Sequence, residues 1–396
     1  MSGKKNEDRK SGTSVAKSES LQVPQCFFLV VIVGGGAAGV NIARPLSAEL
    51  DAAQYNLVLV NPLPYRVVLP ATLRMTVSDV DNLATTALIP YDKIFHGGKG
   101  TFIEDSVESI HQKAGETTGF LTLGSGEQLP YDILILAPGL SWQDPIAFPN
   151  KAEDVKAYVA SSREKFAGAK SYLLVGGGAV GCELAGELKD IWPEKDVAIV
   201  HAKPLLFNDT YPDKFRKAMA RGLTARGIKL HLGDVVENHV ITGSTDVVTR
   251  AGLKLSADLI LKTTGASHPN TAFIKSLDAD VLTPAGFVKV KPTLQLFNYP
   301  NIFAAGDAIE WKEQKQALKC YAHAKIITKN VASYNKGAPL KNYTTGFEAI
   351  IVTNGKRGGA SYFDVLWGIL LGAWFTTMAK SKSLLVPLFR KESGYV

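Results

Sequence analysis

A chain that carries Gly-x-Gly-x-x-Gly twice, each time between an apolar run and a helix-like stretch, has few folds open to it. Gly34, Gly36 and Gly39 follow the β-branched and aromatic run 27–33 and open the stretch 40–50. Gly176, Gly178 and Gly181 repeat the arrangement 142 positions later, after 172–175 and before 182–191. In such a strand–turn–helix unit the first glycine makes the tight turn. The second lets backbone approach a pyrophosphate, and the third lets helix pack on strand. Free N–H groups at the helix start then meet the phosphates. Ala37 and Ala38, inside the first loop, join its candidate contacts.

The pattern predicts an α/β chain with two Rossmann-like dinucleotide-binding domains and a C-terminal α+β unit, which suits 396 residues. The expected divisions are a disordered tail at 1–25, a discontinuous first domain at 26–150 and 266–335, a second at 151–265, and a last unit at 336–396. The tail is polar and Ser/Lys-rich, has no apolar core of a secretory signal, and carries Ser2 where N-myristoylation needs glycine.

Further small-residue signals close the apolar strands. The run 133–136 ends in Ala137-Pro138-Gly139, 259–261 leads to Gly265, and 301–305 ends at Gly306-Asp307. A carboxylate at Asp307 can accept from a ribityl hydroxyl while Gly306 permits close backbone approach, so the first site is read as the one for FAD. The helix-like stretch 316–331 would then point its N-terminus at the flavin. An acid is expected at the end of the second strand, but Asn61 stands there. Its amide could bond a ribose hydroxyl, or it could simply start the turn at Pro62.

At the second loop, Glu183 lies close enough to orient a nicotinamide carboxamide. Glu187, four residues on and on the same face, reads as a structural acid. The strand that should end in an acid for NAD ends instead in Val200-His201-Ala202-Lys203. His201 and Lys203 are therefore expected to meet a 2′-phosphate, so NADPH is expected as a substrate beside NADH.

Cys26, Cys182 and Cys320 are far apart, with no Cys-x-x-Cys or Cys-x4-Cys. That excludes a local redox disulfide, predicts no metal cluster and points to a reducing compartment. Electrons must then leave the flavin for an outside acceptor. The apolar segment 365–378 is 14 residues long, against about 20 needed to span a bilayer. Trp367, Trp374 and Phe375, followed by Lys380 and Lys382, suit an interfacial membrane patch, and a buried or homodimer-forming helix is the rival reading. A net charge of +7 admits phosphates, anionic lipid or nucleic acid without choosing among them. No helix-like stretch shows the dense Arg/Lys stripe with interleaved aromatics that nucleic-acid binding calls for.

The order GGGAAG, LAPG, GGGAVGCELAGE, TTG, AAGD resembles the pyridine-nucleotide flavoprotein oxidoreductases over residues 27–335. Segments 65–74, 192–201 and 379–386 are similar to the apoptosis-inducing-factor homologues, in the ferroptosis-suppressor branch and its fungal relatives. The resemblance implies the glutathione-reductase-like arrangement, FAD, NAD(P)H oxidation and quinone reduction. It also implies membrane association in several members and, in some, a death-effector role with nucleic-acid binding. A reductase serving a protein acceptor is a further alternative. By the same resemblance the segment 70–74, Arg74 included, lies along the flavin and pyrophosphate. Glu183 faces the nicotinamide, and Lys391 matches a C-terminal lysine that approaches the flavin. Arg390 departs from the aromatic of animal relatives. An intracellular, cytoplasmic place is expected, or a peripheral one on a mitochondrial outer or other membrane.

Overall fold

Two all-parallel sheets form the frame, each built round one glycine loop. The computed structural model describes residues 28–237, 245–266 and 268–395. The expected tail at 1–25 and Cys26 lie outside the described residues.

The first strand, β1 (Phe28–Val33), is buried along its length after Phe28, which is why its apolar run is continuous rather than alternating. The chain passes through α1 (Ala37–Glu49), β2 (Tyr55–Asn61), α2 (Leu69–Val77), β3 (Thr101–Glu104) and β4 (Ile133–Leu136). A small antiparallel sheet, Val107–His111, Gly119–Leu123 and Gln128–Tyr131, intervenes before β4. Helix α3 (Ala152–Gly168) then leads into the second sheet.

That sheet comprises β5 (Ser171–Val175), β6 (Asp196–His201), β7 (Lys229–Leu232) and β8 (Leu259–Lys262), with α4 (Ala179–Ile191) after β5 and α5 (Asp213–Thr224) after β6. Its order is β7-β6-β5-β8, every pair parallel. The chain next returns to the first sheet with β9 (Ile302–Ala304), giving the order β9-β4-β1-β2-β3, again all parallel. Helix α6 (Ala317–Tyr334) packs along α1 and shares the first core with it through Ala324, Ile327 and Val331.

The C-terminal segment forms an antiparallel sheet of β10 (Ala349–Thr353), β11 (Gly359–Phe363) and β12 (Ile369–Leu371), and ends in α7 (Val386–Glu392). Val352, Ala360 and Tyr362 join the core under α4 and α5, so this sheet is built onto the second half of the chain. Its first turn lies so close to α4 that a Cβ on Gly186 would sit 2.3 Å from the Gly355 nitrogen.

The segment 365–378 is not one helix. Gly368, at φ +81°, and Gly372 divide it into a turn with exposed Leu366 and Trp367, the edge strand β12, and a helical stretch from Ala373 into a π turn at Thr377–Ser381. Among the described residues no helix is long and apolar enough to cross a membrane.

Candidate active site

Both loops use the same local geometry. Gly34 and Gly176 have φ of +103° and +129°, and their N–H groups donate to Val60 and Val200, each at 2.9 Å. A Cβ would lie 2.3 Å from the Ala137 carbonyl in the first and 2.6 Å from the Thr263 carbonyl in the second, so only glycine fits. Gly39 and Gly181 come equally close to the carbonyls of Gly34 and Gly176. By contrast, a Cβ on Gly36 or Gly178 would meet nothing within 4 Å. Each loop thus has a closed wall and an open cradle, at the start of α1 and of α4.

The first cradle gathers the sequence signals that were far apart. Ala137 and Pro138 lie against Gly34, and Ala38 lies 3.2 Å from where a Cβ of Gly306 would sit. Gly139 is open at φ +69°. The Gly306 N–H donates to His323 Nδ1 at 3.1 Å, and His323 Nε2 lies 2.9 Å from Glu313. Burial pushes the Asp307 carboxyl above its usual range, against the pull of Lys315. Cys320 Sγ approaches Asp307 at 3.8 Å. Asn61 follows neither expectation fully. Its Oδ1 accepts from Gly35 N–H at 2.9 Å and its Nδ2 donates to Leu63 at 2.9 Å, so the amide braces the loop and the following turn.

In the second cradle Thr263 Oγ1 donates to the Gly176 carbonyl at 2.8 Å, and Gly265 is open at φ +100°. The expectation for His201 is corrected. Its Nδ1 accepts from Gly177 N–H at 3.1 Å, so Nε2 carries the proton and donates to the Phe207 carbonyl at 3.1 Å. Burial, with Arg216 and Lys203 nearby, holds its pKa below the ordinary value, and a neutral ring with both nitrogens engaged is no phosphate ligand. Lys203 is not free either: Asp209 holds it in an ion pair.

One turn into α4, Glu183 is buried and accepts from Lys380 Nζ at 2.6 Å and from Thr353 N–H at 3.0 Å. Lys380 also donates to the Ile351 carbonyl at 3.0 Å. At the opposite end of β10, buried Lys319 of α6 pairs with Glu348 at 3.0 Å. The strand from 348 to 353 is therefore a strut of about 16 Å at some 3.3 Å per residue, tying the start of α6 to the start of α4.

The resemblance singles out Lys391 and Arg74, and of these the expectation for Arg74 is corrected. Lys391 lies exposed on α7, and it is Lys380, eleven residues earlier, that reaches Glu183. Arg74 is buried and spent on structure. It forks onto Glu187 at 2.8 and 3.0 Å and donates to the Ser381 carbonyl at 2.7 Å, so it has little to offer a cofactor. The sequence did hold a sign of Lys380, which sits inside the segment 379–386 that carries the resemblance.

The family model of the pyridine nucleotide-disulphide oxidoreductases matches residues 28–325. The chain belongs to this family. This member is 47% identical over 321 residues to the FAD-dependent oxidoreductase FVFD30 of Flammulina velutipes, covering 81% of this chain and 99% of that one. It is 30% identical to ferroptosis suppressor protein 1 of Xenopus tropicalis over 97% of this chain and 98% of the other. The likeness to apoptosis-inducing-factor homologues likewise runs over most of the chain. In fold it matches the sulfide:quinone oxidoreductase of Aquifex aeolicus, with a TM-score of 0.76 over 93% of this chain and 92% of that one, at 17% identity.

This oxidoreductase takes FAD as cofactor and NADH or NADPH as substrate. The residues present fit FAD. The open cradle at Gly36 admits a pyrophosphate, and one cation has donors to spare. Arg66 is buried, its Nη1 on Glu392 at 3.0 Å and its guanidinium 4.1 Å from the Phe389 ring centroid. Its Nε and Nη2 are buried with no protein partner. Glu392 also accepts from Asn41 at 3.3 Å, and Asn41 donates to the Ala37 carbonyl at 2.9 Å, which sets Arg66 beside the first turn of α1. Arg66 would give those donors to the cofactor. The sequence's sign of Arg66 is its place inside the segment 65–74 that carries the resemblance. Of the cysteines, Cys182 and Cys320 are both buried free thiols.

Proposed function

We propose that this flavoprotein passes electrons from NAD(P)H to a quinone-like, apolar acceptor. Bound FAD supplies the chemistry that takes a hydride and gives electrons on. The chain's own residues supply place and polarity. On this reading 26–150 with 266–335 hold FAD and 151–265 hold the nicotinamide nucleotide, each about one parallel sheet. Lys380 fixes Glu183 where the nicotinamide end of the nucleotide would reach α4.

The observation that carries the acceptor is the apolar edge at the start of α6. Leu318 and Phe347 are 41% and 49% exposed beside buried Lys319, whose Nζ donates to the Phe347 carbonyl at 3.1 Å. A quinone ring and tail would cover such an edge. The buried single thiols supply no cysteine pair to take the electrons instead. One protein of the same fold is named a sulfide:quinone oxidoreductase.

A lipid-soluble acceptor would be met at a lipid surface. Trp367 and Trp374 are 99% and 71% exposed, and Leu366 and Met378 are exposed with them. Exposed Lys382 follows. This patch fits the interfacial zone of a membrane. The deciding experiment is anaerobic reduction of the bound flavin by NADH and NADPH, followed by reoxidation with a short-chain quinone or a ferredoxin-type protein. Rapid reoxidation by the protein and none by the quinone would overturn the reading.

A further inference from the structure

The strand end after the second glycine loop lacks the acid that reads a ribose 2′-hydroxyl, but the fold brings one to it from further along the chain. Asp209 forms an ion pair with Lys203, and its other oxygen lies 3.1 Å from Arg216 Nη1. Arg216 is buried and holds the intervening loop in place, donating to the Leu206 carbonyl at 2.8 Å and the Leu205 carbonyl at 3.2 Å. It also lies 3.5 Å from Asp213, which Lys217 pairs at 3.3 Å. On the other side of Lys203, Gly233 N–H donates to its carbonyl at 2.9 Å, while the carboxylate of Asp234, next in sequence, accepts from Val235 and Ala251 N–H at 2.8 and 3.1 Å. Lys203, Arg216 and Lys217 are thus each answered by an acid, and the Asp209 carboxylate is 70% exposed.

We propose that Asp209 sets nucleotide choice at this site and favours NADH, by holding Lys203 and by presenting its own carboxylate to the 2′-hydroxyl. The inference rests on the reading of Gly176–Gly181 as the nicotinamide-nucleotide loop. A hydroxyl donates to a carboxylate. A 2′-phosphate, with nearly two negative charges, must instead take Lys203 from Asp209 and then lie beside the carboxylate it displaced. His201 gives no relief, because its ring is neutral and engaged on both sides. Removing the charge alone should free Lys203 for the phosphate.

The test uses the FAD-loaded full chain. Anaerobic flavin reduction by NADH and by NADPH gives an apparent Kd for each, and calorimetry with adenosine 2′,5′-bisphosphate and with 5′-AMP reads the same site without turnover. The wild-type chain should bind NADH about tenfold more tightly than NADPH. Asp209→Asn should weaken NADH modestly and strengthen NADPH and the bisphosphate, moving the ratio by about tenfold or more. Adding Lys203→Gln should cancel the gain for the phosphorylated ligands. Equal affinities in the wild type, or a ratio unmoved by Asp209→Asn, would overturn the proposal. If neither nucleotide reduces the flavin, the reading of the loop itself fails, and the inference with it.

Discussion

Asn61 and His201 hold equivalent places in the two halves of the chain. Each ends the second strand of its parallel glycine-loop unit, and each accepts from the residue after the loop's first glycine. Gly35 N–H reaches Asn61 Oδ1 at 2.9 Å, and Gly177 N–H reaches His201 Nδ1 at 3.1 Å. Both acceptors are neutral, so each loop is braced without a negative charge being set beside the phosphates it faces.

That equivalence predicts which substitutions the second loop tolerates. His201→Asn should retain NADH binding, because the amide can replace Nδ1 as acceptor. His201→Ala should weaken it by up to about tenfold, the worth of one hydrogen bond. Nucleotide titration of the flavin signal measures both, and equal loss in the two variants would count against the bracing role.

His201 also predicts a pH dependence. Its pKa in the fold is held down, first by burial, while in the unfolded chain it titrates near 6.5. Below that value the unfolded state binds a proton that the folded state refuses, so stability is complete above about 6.5 and falls as pH drops through the window beneath it. The unfolding midpoint should decline on acidification with a component absent from His201→Asn.

Loss of the Glu183–Lys380 pair should act on chemistry rather than on folding alone. Lys380→Met and Glu183→Gln should each slow flavin reduction by NADH by about 10- to 100-fold, as expected for a charge-assisted hydrogen bond. Lys391→Ala, on the exposed face of α7, should leave the rate unchanged. A slow Lys391 variant beside a normal Lys380 variant would place Lys391, not Lys380, at the flavin.

Arg66→Gln should loosen FAD by about 10- to 100-fold, since donors now buried without protein partners would lose their ligand. Flavin fluorescence released during gel filtration reads this directly. Arg74→Ala should behave differently. It strands Glu187 in a buried site and should cost about 3–5 kcal/mol of stability, visible in denaturant unfolding.

Trp367→Ser with Trp374→Ser should abolish flotation with anionic liposomes while sparing turnover of a short-chain quinone. Retained flotation, or a monomer appearing where the parent chain was a dimer, would assign the patch to a second copy instead.

Both glycine loops, the strands that feed them and the helices that follow were legible because the requirement is local. A turn at φ near +100°, a helix start and a close carbonyl all fall within six residues, and only glycine satisfies them. The α/β class followed from that pattern alone. Of the two readings of the run 365–378 only the single helix fails, because hydropathy does not distinguish one helix from the turn, strand and short helix into which Gly368 and Gly372 divide it. Partnerships were not legible. Lys380 finds Glu183 across 197 residues, Arg74 finds Glu187 across 113, and Asp209 meets Lys203 in a loop whose Leu205 and Leu206 carbonyls Arg216 holds. A charged side chain has the same letter whether it faces water, a ligand or another charge. What it does depends on which opposite charge the packed core places within hydrogen-bonding distance, and that is decided by tertiary structure.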